Sequence, residues 1–121
     1  MHSPLEPSNF YHFYNRGNNR ENIFKNADNY NYFIFLMEKY LVPIVDFYSY
    51  CLLPNHFHLV FKVKDNNLLP ERFRKGESKL HQPFSNLFNA YAKAFNRYHK
   101  RTGSLFQKHP KKKIIMNGLL K

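Results

Sequence analysis

Residues 44–64 read IVDFYSYCLLPNHFHLVFKVK, and this stretch decides the fold. Two runs rich in aromatic and β-branched residues, Ile44–Leu52 and His56–Lys64, have the composition of β-strands. Residues 53–55, Leu-Pro-Asn, separate the two runs, and a proline followed by asparagine indicates a turn. Strands joined by so short a connection most simply form an antiparallel hairpin.

The second strand of this hairpin alternates between two kinds of side chain. His56 and His58 are two residues apart and therefore project from one face, while Phe57 projects from the other. The face with Phe57 is uniformly apolar and continues with Leu59, Phe61 and Val63. Because a packed strand holds the two imidazoles side by side, the pair predicts a binding site for one divalent metal ion.

The rest of the chain limits the kind of metal site. There is one cysteine and the other histidines are scattered, so the sequence predicts no four-ligand structural zinc site. An open site, completed by water and phosphate oxygens, suits Mg²⁺ or Mn²⁺. Two histidines at this spacing also occur as surface or structural residues, and that alternative stays open.

The segments around the hairpin predict two helices and two more strands. Residues 10–15, FYHFYN, have the composition of a strand. A helix is predicted from Asp28, its N-cap, to Leu41, because apolar residues recur there at helical spacing and Pro43 follows. Residues 65–82 are polar and predict a long, mobile loop.

The C-terminal part adds the second helix and a last strand. The helix is predicted to begin at Pro83 and to end at Gly103 as its C-cap. Its apolar stripe includes Tyr91 and Tyr98. Residues 104–115 predict a fourth strand. The order strand, helix, strand, strand, helix, strand predicts an α+β, ferredoxin-like split βαβ fold, in which a four-stranded antiparallel sheet carries both helices on one face.

Composition and charge narrow the function. The 121 residues suffice for a single domain over 1–121, and 43% hydrophobic content argues for a folded protein. Residues 71–121 contain thirteen Lys or Arg and two acidic residues, which accounts for the whole net charge of +11. This asymmetry predicts a nucleic-acid partner. Cys51 is expected to be a buried core residue, which suits a reducing cytoplasm, and no apolar segment is long enough to span a membrane.

Three segments in matching order resemble one known family. Residues 53–60, LPNHFHLV, are similar to the His-hydrophobe-His (HUH) signature of the single-tyrosine transposases. The closer similarity is to the branch associated with repetitive extragenic palindromes (REP). Residues 11–19, YHFYNRGNN, followed by residues 23–24, Ile-Phe, resemble its first strand and loop. Residues 95–107, FNRYHKRTGSLFQ, resemble its region after the second helix.

The resemblance implies a reaction and its participants. A divalent ion on His56 and His58 would polarise a phosphate of single-stranded or hairpin DNA. A tyrosine would attack it, forming a 5′-phosphotyrosine and a free 3′-OH. Family members act as homodimers, and their tyrosine lies on a helix after the fourth strand, with a third metal ligand four residues later. Residues 114–121, IIMNGLLK, contain no tyrosine, so this HUH domain is expected to be shortened and to lack the nucleophile helix.

The remaining candidate residues are one tyrosine and a set of basic side chains. Tyr91 is kept as a substitute nucleophile, although its place on the apolar stripe, like that of Tyr98, favours core packing. Arg16 and Arg20, after the first strand, are predicted to grip a DNA hairpin. Further phosphate contacts are predicted at Lys93, Arg97, Lys100, Arg101, Lys108, Lys111, Lys112 and Lys113.

Three interpretations remain open on the sequence. The first is a transposase-like protein that binds DNA and would cleave and rejoin it. The second is a non-catalytic nucleic-acid-binding module whose aromatic sheet stacks bases and whose histidines are incidental. The third is a decayed element without activity. His12, on the first strand, is placed to approach the metal, with structural packing as its alternative.

Overall fold

A computed structural model describes residues 4–116 of the chain, with side chains through residue 115. Its strands are β1 (Phe10–Arg16), β2 (Val45–Leu53), β3 (His56–Val63) and β4 (Lys111–Met116). Its helices are α1 (Ala27–Leu36), which continues as a π-helical turn over Met37–Leu41, α2 (Glu71–Arg74) and α3 (Gln82–Tyr98). Short 3₁₀ turns lie at Asn18–Arg20 and Asn66–Leu68.

The four strands form one antiparallel sheet in the order β2-β3-β1-β4. The connection from β1 to β2 contains α1, and the connection from β3 to β4 contains α3. Both helices pack on the same face, so the predicted α+β, ferredoxin-like arrangement is confirmed. Strands β1 and β3 are the two central strands, and the opposite face of the sheet carries no helix.

Strand β3 shows why the sequence folds in this way. Its residues alternate between buried and half-buried along the whole strand, as the sequence predicted. Phe57 has no exposed surface, and its ring lies 5.4 Å from the rings of both Phe33 on α1 and Phe88 on α3. Burying one such side chain stabilises the fold by about 1.5–3 kcal/mol. Phe57 therefore fixes which face of β3 meets the helices.

The N-cap of helix α1 lies two residues before the predicted one. The side chain of Asn26, not Asp28, accepts a hydrogen bond from the backbone N–H of Asn29 at 3.0 Å. The prediction of Asp28 as N-cap is therefore wrong, because Asp28 already lies in the first helical turn. The predicted end at Leu41 agrees with the end of the π-helical turn, shortly before Pro43.

Helix α3 ends earlier than its sequence suggested. Lys100 adopts the left-handed conformation with φ of 52°, and the N–H of Arg101 reaches the carbonyl of Asn96 at 2.8 Å. This pattern closes the helix after Tyr98. The prediction of Gly103 as the C-cap is wrong, because the left-handed turn at the helix end is made by Lys100.

Three other expectations differ from the structure. Residues 65–82 are not a featureless loop, since α2 lies within them and Leu69 and Phe73 are buried. Cys51 is exposed rather than buried, because β2 is an edge strand and Cys51 lies on the open face opposite His58. The fourth strand begins at Lys111 instead of residue 104.

Within residues 4–116, no helix has the length and apolarity needed to cross a membrane.

Candidate metal centre and nucleic-acid interface

His56 and His58 lie side by side on the open face of the sheet. Their ring centroids are 5.2 Å apart and the ring planes are nearly perpendicular, at 89°. Both residues are half-buried, and β1 places Arg16 opposite His56 and Tyr14 opposite His58. Strand alternation and the packing of Phe57 therefore bring the two imidazoles together, as the sequence predicted.

The Nδ1 atom of each histidine is engaged by a neighbouring side chain. Nδ1 of His56 lies 2.7 Å from Oδ1 of Asn55, and Nδ1 of His58 lies 2.8 Å from Nε2 of His12. An amide oxygen only accepts hydrogen bonds, so Nδ1 of His56 is the donor and its Nε2 keeps a lone pair. This is the state in which a histidine binds a metal ion through Nε2.

The surroundings of His58 favour its neutral form. Partial burial lowers the pKa of His58 below its usual value, and the nearby imidazoles of His12 and His56 lower it further. A metal ligand must be deprotonated, and a proton on His58 competes with the ion. A lowered pKa therefore suits a metal-binding role near neutral pH.

The described residues supply two ligands for such an ion. Within residues 4–116, no three His, Cys, Asp or Glu side chains come together closely enough to hold a metal. The imidazole pair fits an open site, in which phosphate oxygens or water occupy the other positions. The chemistry of the donors is thus compatible with the divalent ion that the sequence suggested.

A cleft of about 480 Å³ surrounds the imidazole pair. It is lined by Tyr14, Asn15, Arg16, Asn55, His56, His58, Gln107 and Lys111. Tyr14 stacks on both His12 and His58, with centroids 4.6 and 5.5 Å away. Sequence reasoning gave no role to Tyr14, Asn55 or Gln107. The signal that could have placed Tyr14 on this face is its position two residues after His12 on the same strand.

Three cations lie close to the cleft. Arg16 is exposed at the end of β1. Lys111 and Lys113 on β4 are exposed and pair with Tyr14 and His12, which puts them on the same open face. Arg20 is exposed in the turn that follows β1. The structure therefore places three of the predicted phosphate contacts, Arg16, Lys111 and Lys113, on the open face beside the histidines.

The other predicted phosphate contacts lie elsewhere. Lys93 and Arg97 are exposed on α3, on the helical side of the sheet, and Lys100 follows that helix. Lys108 lines a groove between α3 and the segment before β4. Lys112 points to the helical side beside Phe84, and burial lowers its pKa. The structure thus divides the predicted phosphate contacts between the two sides of the sheet.

Arg101 is placed as a structural residue. Its guanidinium donates to both carboxylate oxygens of Glu21, to the side chain of Asn96, and to the carbonyls of Gly103 and Ser104. The hydrogen bond and charge of Arg101 hold the pKa of Glu21 below its usual value. Because its donors are occupied within the chain, the prediction of Arg101 as a phosphate contact does not fit this placement.

Tyr91 is part of the core and does not face the cleft. It is 1% exposed, and its hydroxyl donates to the carbonyl of Ile23 at 2.5 Å. Burial raises the pKa of Tyr91 far above its usual value, which disfavours the phenolate. These observations agree with core packing and disagree with its candidacy as a nucleophile. Tyr98, expected in the core, is 55% exposed and bonds to Asp28, so that expectation is wrong.

Replacing Tyr91 with phenylalanine tests this assignment. We expect the free energy of unfolding to fall by about 1–2 kcal/mol, because the buried carbonyl of Ile23 loses its donor. Binding of hairpin DNA is expected to stay unchanged. Urea denaturation and a DNA-binding titration measure the two effects. Loss of a covalent DNA adduct in a variant of undiminished stability would instead make Tyr91 the nucleophile.

Comparison with known proteins supports the fold. No family model matches the sequence, and no curated protein matches it. A solved structure of a REP-associated tyrosine transposase bound to a REP hairpin is similar, with a TM-score of 0.58 over 97% of this chain at 14% sequence identity. The chain spans 61% of the length of that protein. It therefore shares the fold of a tyrosine transposase solved with a REP hairpin.

Proposed function

We propose that this chain is a transposase-like protein that binds single-stranded or hairpin DNA on the open face of its sheet. The observation that carries the proposal is the pair His56 and His58, adjacent on a rigid strand and bordered by Arg16, Lys111 and Lys113. The shared fold with a transposase that was solved with a hairpin supports it. The proposal includes a homodimer, as the sequence resemblance implies.

The proposed chemistry is metal-assisted tyrosine transesterification. His56 and His58 would hold a divalent ion, Mg²⁺ or Mn²⁺. Such an ion, when bound, polarises a phosphate so that its phosphorus is more readily attacked. Arg16 and Lys111, which line the same cleft, would bind the flanking phosphates and hold the strand in place.

The location of the attacking tyrosine determines how much DNA cleavage we expect from residues 1–121. Tyr91 is buried, and the sequence resemblance implies that the attacking tyrosine lies on a helix after β4. For residues 1–121 alone we therefore expect DNA binding without appreciable cleavage. Incubation with hairpin DNA and Mn²⁺, followed by denaturing electrophoresis, detects a covalent adduct if one forms.

A non-catalytic nucleic-acid-binding module is the second candidate. The stacked, half-buried rings of His12, Tyr14 and His58 on the open face favour it, because aromatic rings on an open sheet face can stack unpaired bases. In this function the aromatic sheet stacks bases, and His56 and His58 are incidental and hold no ion. DNA binding that is identical in Mn²⁺ and in a chelator, without histidine-dependent Mn²⁺ binding, would support this alternative.

Charge reversal on either side of the sheet tests where DNA binds. In a titration of a labelled hairpin, Lys111→Glu with Lys113→Glu is expected to weaken binding on the order of 10-fold or more, through lost phosphate contacts. The matched control, Lys93→Glu with Arg97→Glu, changes the net charge by the same amount on the helical side. We expect it to weaken binding less than about 3-fold at moderate salt, because screening acts over roughly 10 Å.

The two variants separate the possible explanations. Equal weakening by both would show that net charge, rather than the open face, governs binding. A larger loss in the α3 variant would move the DNA to the helical side, where the sequence also predicted contacts. Retention of full affinity in the variant of Lys111 and Lys113 would contradict the proposed binding face.

A further inference from the structure

His12 contacts His58 at the Nδ1 atom of the His58 ring and leaves Nε2 of His58 uncovered on this side. Nε2 of His12 is 2.8 Å from Nδ1 of His58, and the two rings are stacked at 28° with centroids 5.0 Å apart. His12 lies on β1 and His58 on β3, the two central strands. The contact therefore joins two elements whose relative position is fixed by backbone hydrogen bonds.

The position of the proton in this contact decides whether Nε2 of His58 can bind a metal ion. One of the two nitrogens donates and the other accepts, since neutral imidazole has one N–H. If His12 donated, the proton of neutral His58 would sit on its Nε2 and block a metal ion there. If His58 donates from Nδ1, its Nε2 keeps the lone pair. Only the second arrangement is compatible with His58 as a ligand.

We propose that His12 is a positioning residue, which accepts the Nδ1 proton of His58 and so presents Nε2 of His58 to the metal ion. Asn55 has the same relation to His56, whose Nδ1 donates to the amide oxygen at 2.7 Å. Both ligands of the proposed centre are thus held in the same tautomer by a neighbour. This assignment rests on the proposed function, because the tautomer of His58 is inferred from its role as a metal ligand.

His12 does not act as a third ligand. Its Nε2 already contacts His58, on the side that lies behind the coordinating nitrogen. Within the described part of the chain, His12 forms no three-residue metal-binding group with His56 and His58. The 2.8 Å contact with Nδ1 of His58, and the failure of the three histidines to form a metal-binding group in the described residues, indicate that His12 orients His58 and does not bind the ion.

A purely structural role for His12 makes a different prediction. Its ring stacks on Tyr14 with centroids 4.6 Å apart, and this packing needs an aromatic ring but no acceptor nitrogen. His12→Phe keeps a ring and removes the acceptor. His12→Gln removes the ring and keeps an acceptor, the amide oxygen. The two variants therefore separate packing from hydrogen bonding.

The test uses calorimetric titration of the 121-residue chain with Mn²⁺. His12→Phe is expected to bind Mn²⁺ about 10–100-fold more weakly than the wild type, the range found for residues that orient metal ligands. His12→Gln is expected to stay within about 3-fold of the wild type. Thermal unfolding of both variants checks that the fold is retained.

A second measurement needs no metal. Long-range ¹⁵N–¹H NMR of the metal-free wild type reports which nitrogen of His58 carries the proton, and we expect Nδ1. A proton on Nε2 of His58 would overturn the inference, as would wild-type Mn²⁺ affinity in His12→Phe. Failure of the wild type itself to bind Mn²⁺ would overturn the metal centre of the proposed function and the positioning role with it. If the wild type binds Mn²⁺ and His12→Phe binds it equally well, the inference about His12 is wrong and the proposed function still stands.

Discussion

Replacing His56 and His58 together with alanine is expected to reduce the affinity of the protein for Mn²⁺ by more than about 100-fold. Removing a residue that only orients a ligand costs about 10–100-fold, and removing both ligands costs more. Among residues 4–116 no third His, Cys, Asp or Glu joins this pair, so nothing in that range replaces it. Calorimetric titration with Mn²⁺ measures the loss.

The matched control is His81→Ala, which removes an exposed histidine at the start of α3, away from the open face. It is expected to bind Mn²⁺ as the wild type does. Because both histidines of the pair are half-buried on a strand, circular dichroism and thermal unfolding accompany the titration. Unchanged Mn²⁺ binding in the folded double variant would show that the ion binds elsewhere, and the non-catalytic module would then be the better interpretation.

Phe57→Ala is expected to lower the free energy of unfolding by about 3–5 kcal/mol. The side chain has no exposed surface and contacts aromatic rings from both helices and from Phe106. Removing it leaves a cavity that these rings fill only in part. Domains of this size have a total stability of about 5–15 kcal/mol, so the variant is expected to be close to unfolding.

Urea denaturation monitored by circular dichroism provides the measurement, with stability taken from the midpoint and the slope. Phe57→Leu, which keeps most of the volume, is expected to cost less than about 1.5 kcal/mol. Leu68→Ala, at a residue that is 61% exposed, is expected to stay within about 0.5 kcal/mol of the wild type. A cost below about 1 kcal/mol for Phe57→Ala would mean that β3 does not bury this face.

The sequence was most informative where a pattern repeats along one element. The alternation of β3 and the apolar stripes of the helices reflect local geometry and depend on no distant partner. They were enough to predict the fold and the shared face of His56 and His58. The pairing of Tyr14 with His58 required the register between β1 and β3, which no local pattern contains.

The placements that the sequence did not reveal depend on partners far away in the sequence. Arg101 resembled a phosphate contact because nothing nearby reveals its pairing with Glu21, which lies on a different segment. Leu69 and Phe73 become buried only when the segment between β3 and α3 packs on the fold. The end of α3 at Lys100 is likewise unexpected, since a left-handed lysine costs free energy that the closing hydrogen bonds offset.

The central position of β1 and β3 has a consequence for motion. Every backbone segment that carries His12, Tyr14, His56 or His58 is hydrogen-bonded to strands on both sides. Amides in such strands exchange with solvent mainly when the whole domain unfolds. We therefore expect the backbone that carries the imidazole pair to open only when the domain unfolds. If the protein binds DNA as proposed, any accompanying rearrangement would have to come from the nucleic acid or from segments outside this sheet.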